Sequence, residues 1–113
     1  MSDPQDFQLR IRLGDVMLGP GKADLLDGIR ETGSISAAGR RMSMSYRRAW
    51  QLVEQLNQHF SAPVVATLTG GRGGGGAELT ALGEDILSTY RRMQQRCAVA
   101  ISDDLDHLRD LRK

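Results

Sequence analysis

Residues Ser34 to Phe60 read SISAAGRRMSMSYRRAWQLVEQLNQHF, and the way this stretch divides decides the architecture. Ser34 is a good helix N-cap, because its hydroxyl can accept from an amide two or three residues on. It opens a short helix through Ile35, Ala37, Ala38 and Arg41, whose small alanines let a second helix approach closely. Met42, Ser43 and Met44 leave room only for a tight turn. Ser43 or Ser45 then caps a longer helix running to about Phe60. On its wheel Ala49, Leu52, Val53, Leu56 and Phe60 share one face, while Arg47, Gln51, Gln55 and Gln58 share the other with Arg48 at its edge. The outward face is arginine and glutamine rather than alternating acid and base.

Downstream, Pro63 closes a connection, and Val64 to Thr69 and Ala77 to Thr80 read as two strands flanking Gly70 to Gly76. That tip holds six of the chain's 13 glycines and one side chain of length, Arg72. So many glycines suit a backbone that bends freely or approaches something closely. Upstream, Phe7, Leu9, Ile11 and Leu13 alternate with Gln8, Arg10 and Arg12 as in a strand with one buried face. Leu18-Gly-Pro-Gly reads as a turn, and Ala23, Leu26 and Ile29 recur at helical spacing over about 21–32, with Gly33 suited to a left-handed C-terminal cap. At the far end, Thr80 can cap a helix whose apolar seam is Leu82, Ile86, Tyr90, Met93, Cys97, Ile101, Leu105 and Leu108. Some 28 residues of helix span roughly 42 Å, more than a domain this small covers by itself. Ser102-Asp103-Asp104 is a place where a new helix can start.

At 113 residues the chain bounds a single modest core. Its one cysteine cannot form an internal disulfide, and no N-terminal apolar run reads as a signal peptide or membrane span, so a cytoplasmic location is expected. The net charge of +1 hides a segregation. Residues 1–33 carry four basic and six acidic side chains (−2), residues 34–76 five against one (+4), and residues 77–113 six against seven (−1). Positive charge gathers on the short helices and the glycine loop, which favours a polyanionic partner.

Two helices across a tight turn, the second opening Tyr46-Arg47-Arg48, followed by a strand pair with a basic tip, is the order of a winged helix-turn-helix. The expected class is α+β, mainly α, with an N-terminal strand, a β-hairpin wing and a long C-terminal dimerisation helix. A helix fits the major groove with its first residues at base edges, where arginine can pair with guanine and glutamine with adenine. Arg47, Arg48 and Gln51 are therefore the candidates for reading bases. Ser34, Ser36, Arg41, Ser43, Ser45 and Tyr46 are candidates for positioning the phosphate backbone, and Arg72 for holding phosphate or the minor groove from the wing. The competing reading of the helices alone is a three-helix core with a solvated polar face. The glycine run is no nucleotide loop: no lysine followed by serine or threonine ends it, and a strand follows.

Gly33-Ser34-Ile35-Ser36, Ser45-Tyr46, Ala49-Trp50 and, above all, Thr69 to Ala77 followed by Leu79-Thr80 and Gly83 resemble the N-terminal domain of the ModE family of molybdate-responsive transcriptional regulators. The similarity covers about residues 8–100. The helix-turn-helix half would also match LysR-type and other winged regulators. The resemblance implies a winged helix-turn-helix that dimerises largely through its C-terminal helix and binds a palindromic operator. It places the recognition helix on Ser45 to Phe60 and the wing on Gly70 to Gly76. Full-length family members continue into molybdate-binding domains, so molybdate sensing by this chain alone is not expected.

The division expected is residues 1–80 as the DNA-binding domain and residues 81–113 as the dimerisation helix, with Ile86, Tyr90, Met93, Cys97, Ile101, Leu105 and Leu108 facing a partner copy. The alternative for the start of this seam is an intramolecular cap over the core that absorbs Leu82, Ile86 and Tyr90, while Met93 to Leu108 lie beyond the reach of a compact body. No enzyme, cofactor or metal site is expected. His59 and His107 lack further ligands at useful spacing, and no serine sits in a nucleophile-elbow pattern. Trp50, Met42 and Met44 read as packing residues, and Asp103, Asp104, Asp106 and Asp110 as a solvated face. Two rival functions are an adaptor that keeps the fold without DNA readout, and an oxyanion sensor whose site forms between two copies.

Overall fold

The computed structural model describes residues 7–68 and 76–113. The elements run β1 (Ile11–Leu13), β2 (Val16–Leu18), α1 (Pro20–Thr32), α2 (Ile35–Arg41), α3 (Tyr46–His59), β3 (Val65–Leu68), β4 (Gly76–Leu79), α4 (Ala81–Ala100) and α5 (Ser102–Asp110). The expected N-terminal strand is shorter than its alternation suggests, and it is one arm of an antiparallel hairpin pairing Ile11 with Leu18 and Leu13 with Val16. Gly14, at φ +58°, makes the turn between them. The second arm, three residues long, has too little pattern to stand out. Leu18-Gly-Pro-Gly is thus the entry to α1, with Pro20 at its first position, where a missing amide hydrogen costs nothing.

α1 buries Ala23, Leu25, Leu26 and Ile29 and stops at Gly33, whose φ of +71° lets its amide donate back to the Ile29 carbonyl at 2.8 Å. α2 then crosses α1 with almost no gap. A Cβ on Gly28 would stand 2.9 Å from that of Ala38, and one on Gly39 3.0 Å from that of Ala49. Small residues at both crossings let three helices close around Leu25, Leu26, Ile29, Val53 and Leu56, each at most 1% exposed.

The hairpin β3–β4 is antiparallel, pairing Val65 with Leu79 and Leu68 with Gly76. Its tip, with the expected wing contact Arg72, lies outside the described residues. Two tethers hold its base. The Ala77 amide donates to the Gly33 carbonyl at 2.9 Å, and Asn57 of α3 bridges to β3: its Oδ1 accepts from the Val64 and Val65 amides at 2.7 and 3.0 Å, and its Nδ2 donates to the Val65 carbonyl at 3.1 Å. Thr80 caps α4 as expected, its Oγ1 accepting from the Gly83 amide at 3.0 Å and donating to the Pro63 carbonyl at 2.7 Å.

The last helix is divided. α4 ends at Ala100, Ile101 leaves helical geometry at φ −104° and ψ 5°, and α5 resumes with Asp103 and Asp104 in its first turn, where carboxylates suit the helix dipole. Only the first half of α4 joins the core, through Gly83, Leu87 and Tyr90; the rest projects and stretches the molecule to 56 × 28 × 22 Å.

Candidate nucleic-acid interface

The turn between α2 and α3 is closed by backbone hydrogen bonds. The Met44 amide donates to the Gly39 carbonyl at 2.9 Å and the Ser43 amide to that of Arg40 at 3.0 Å. This is the Schellman closure, which demands a left-handed residue at its centre, usually glycine. Here that residue is Ser43, at φ +55°. Ser45, one of the two serines expected to cap α3, is the cap: its Oγ accepts from the Arg48 amide at 3.1 Å. Ser43 is committed to the turn instead.

α3 divides as its sequence implied. Ala49, Leu52, Val53 and Leu56 are buried, while Tyr46, Arg47, Arg48, Gln51, Gln55 and Gln58 are exposed. Tyr46 meets Trp50 edge-on, ring centroids 6.1 Å apart. Trp50 packs against the core as expected, yet its Nε1 is buried with no acceptor among the described residues. Ser34 caps α2, its Oγ accepting from Ala37 at 3.1 Å. Ser36 accepts from Arg40 at 2.9 Å. Arg41 forms an exposed ion pair with Glu31 at 2.7 Å, so part of its charge is already answered by the protein.

Lys22 and Arg10 were not singled out by the sequence, and tertiary structure brings them to the same end of α3. With Arg48 and Gln8 they line a cleft of about 450 Å³ between the N-terminal hairpin and the start of α1. Burial, and then the neighbouring charge of Arg48, holds the Lys22 ammonium below its usual pKa. They lie 26 and 38 residues before Arg48, so no local pattern could have announced the cluster.

The expected dimer seam splits in two. Tyr90 is 1% exposed and its hydroxyl donates to the Leu9 carbonyl at 2.6 Å, so it belongs to the chain's own core rather than to an open face. Ile86 also packs against that core. Beyond it Cys97, Ile101 and Leu105 are half-buried, while Met93 is 37% and Leu108 59% exposed. Val99 and Leu111, outside the expected seam, add to the uncovered apolar surface. Ion pairs link α4 to α1: Arg91 pairs with Asp24 at 2.9 Å and with Asp27, and Arg30, which also pairs with Asp27 within α1 at 2.7 Å, reaches Glu84 at 3.2 Å. Among the described residues no group of three or more His, Cys, Asp or Glu side chains could hold a metal ion, and no helix is long and apolar enough to cross a membrane.

Comparison with known proteins agrees with this geometry. The model of the bacterial regulatory helix-turn-helix proteins of the lysR family matches residues 23–84, more than half of the chain, from α1 to the start of α4. The molybdenum-pterin-binding protein MopB of Rhodobacter capsulatus is 41% identical over 85 residues, covering 75% of this chain and 32% of its own length. The DNA-binding transcriptional dual regulator ModE of Escherichia coli K12 is 36% identical over 88 residues, covering 75% and 34%. The chain therefore spans about a third of these relatives. The solved full-length LTTR LysG from Corynebacterium glutamicum, with bound effector Arg, superposes with a TM-score of 0.60 over 83% of this chain and 30% of that one; at 23% identity it shows a common fold. Proteins of this kind are transcriptional regulators and not enzymes, and the chain belongs to the bacterial regulatory helix-turn-helix proteins of the lysR family.

Proposed function

We propose that this chain is a sequence-specific transcriptional regulator that binds a palindromic DNA operator as a homodimer in the cytoplasm, in the molybdenum-related setting that its relatives' names indicate. Residues 1–80 serve as the DNA-binding part and residues 81–113 as the dimerisation element. The observation that carries the reading is α3: one face is locked in the core, and on the other Arg47 and Gln51 stand exposed at its capped start. Arg47 and Gln51 read base edges in the major groove, with Arg48 at the edge of that face. Ser34, Ser36, Arg41, Ser43, Ser45 and Tyr46 position phosphates, and Arg72 anchors the wing.

The exposed Met93 and Leu108, with the half-buried Cys97, Ile101 and Leu105 between them, support pairing through α4 and α5 of two copies. Twofold symmetry would then set two α3 helices about 34 Å apart, one turn of duplex. Selection of bound duplexes from a random pool tests the whole reading, and an enriched inverted repeat is the expected result. Absence of duplex binding at low salt, or affinity that does not fall as salt rises, would refute it.

A further inference from the structure

The cleft formed by Gln8, Arg10, Lys22 and Arg48 is distinct from the groove-reading face but shares Arg48 with the first turn of α3. Its cations come from three separate segments: the approach to β1, the first turn of α1 and the first turn of α3. Among the described residues no carboxylate lines it. Arg10 is steadied by Gln8, to whose Oε1 it donates from Nη2 at 2.9 Å. Three like charges around one concavity repel each other, and an anion between them would relieve that repulsion. Burial, and after it the charge of Arg48, lowers the Lys22 pKa.

We propose that this cleft holds a DNA backbone phosphate flanking the segment read by α3. The inference rests on the DNA-binding reading above. Continuity at Arg48 favours a duplex over a free oxyanion, because Arg48 belongs both to the cleft and to the exposed first turn of α3. Arg10 and Lys22 precede Ala23, where the match to the lysR-family model begins. Arg48 here becomes a residue of the backbone rather than of the bases.

The test compares wild type, Lys22→Gln, Arg10→Gln and Lys22→Arg on two duplexes from the selected operator, one cut to the segment read by α3 and one with flanking base pairs. Either glutamine variant should bind the flanked duplex more weakly, with a salt slope shallower by about 0.9 per lost contact, so that the deficit shrinks about threefold between about 50 and 200 mM salt. Both should match wild type on the short duplex, and Lys22→Arg should behave as wild type on both. Thermal melts exclude misfolding, and Arg10→Gln carries the test if Lys22→Gln melts early. Equal binding to the flanked duplex, or an equal loss on both duplexes, overturns the proposal while leaving DNA binding intact. Inorganic phosphate that raises the melting temperature of wild type but not of Lys22→Gln, with flanked-duplex binding unchanged, assigns the cleft to a free oxyanion and overturns it too. A wild type that binds neither duplex refutes the DNA-binding reading itself.

Discussion

Asn57→Ala should be among the most damaging single truncations on α3, although Asn57 is only half-buried. Its amide serves the Val64 and Val65 N–H groups and the Val65 carbonyl. Val64 and Val65 are 0% and 2% exposed, so their backbone has little other access to water. A buried polar group left unpaired costs about 1–3 kcal/mol, which for two donors and one acceptor gives an upper range of ~3–9 kcal/mol. Water entering the vacated volume from the open side of Asn57 recovers part of this, and alanine gains roughly 0.5 kcal/mol of helix propensity over asparagine. The net expectation is about 2–4 kcal/mol, a large share of the ~5–15 kcal/mol typical of a domain. Urea unfolding followed by circular dichroism should show a lower midpoint at unchanged slope. Asn57→Asp keeps both acceptor contacts and loses one donor, so it should cost about 1–2 kcal/mol. A loss below about 0.5 kcal/mol for Asn57→Ala would refute the claim that this side chain locks the wing to α3.

Three further outcomes are expected. Gly83→Ala would put a Cβ 2.2 Å from the Val64 carbonyl oxygen, an atom pinned by the Thr80 amide at 3.0 Å, so α4 must shift; a cost of about 2 kcal/mol or more in a thermal melt is expected, and a neutral result would show that the hairpin base yields freely. Ser43→Gly, relieving the left-handed conformation at the Schellman position, should be neutral to ~1 kcal/mol stabilising, whereas Ser43→Val should destabilise, and the reverse order would contradict the turn geometry. Burial raises the Tyr90 pKa above its ordinary 10.0, so its neutral form is the one folding favours. That stability is complete below about pH 10 and is lost as pH rises through the folded-state value. Tyr90→Phe should therefore cost about 1 kcal/mol at pH 8, for the lost bond to Leu9, and flatten the decline above about pH 10; an unchanged alkaline decline would place its cause elsewhere.

What could be read in advance follows the range of the interactions concerned. Ser34, Ser45 and Thr80 cap helices by bonding amides three residues on, so their roles lie within one turn of sequence. Gly33 ends α1 through an amide four residues from its acceptor. The two faces of α3 repeat at the helical period and were legible for the same reason. β2 escaped because three residues carry too little periodicity, whereas the break at Ile101 was marked by Ser102-Asp103-Asp104, whose carboxylates suit a helix start within one turn of sequence. Tyr90 lies on the apolar seam of the last helix like its neighbours, and only the approach of the N-terminal segment, 81 residues earlier, turns it inward. The role of Asn57 exists only because β3 lies beside α3 and brings the Val64 and Val65 backbone to its amide.

By itself, then, the sequence determined the order of elements, their caps and the basic outward face of the third helix, because each depends on residues within a few positions of one another. Tertiary structure alone decided which half of the last helix belongs to the core, how the wing is tied to α3, and that Arg10, Lys22 and Arg48 share one cleft. Those depend on which distant segments come into contact, and burial and like-charge crowding exist only once they have done so.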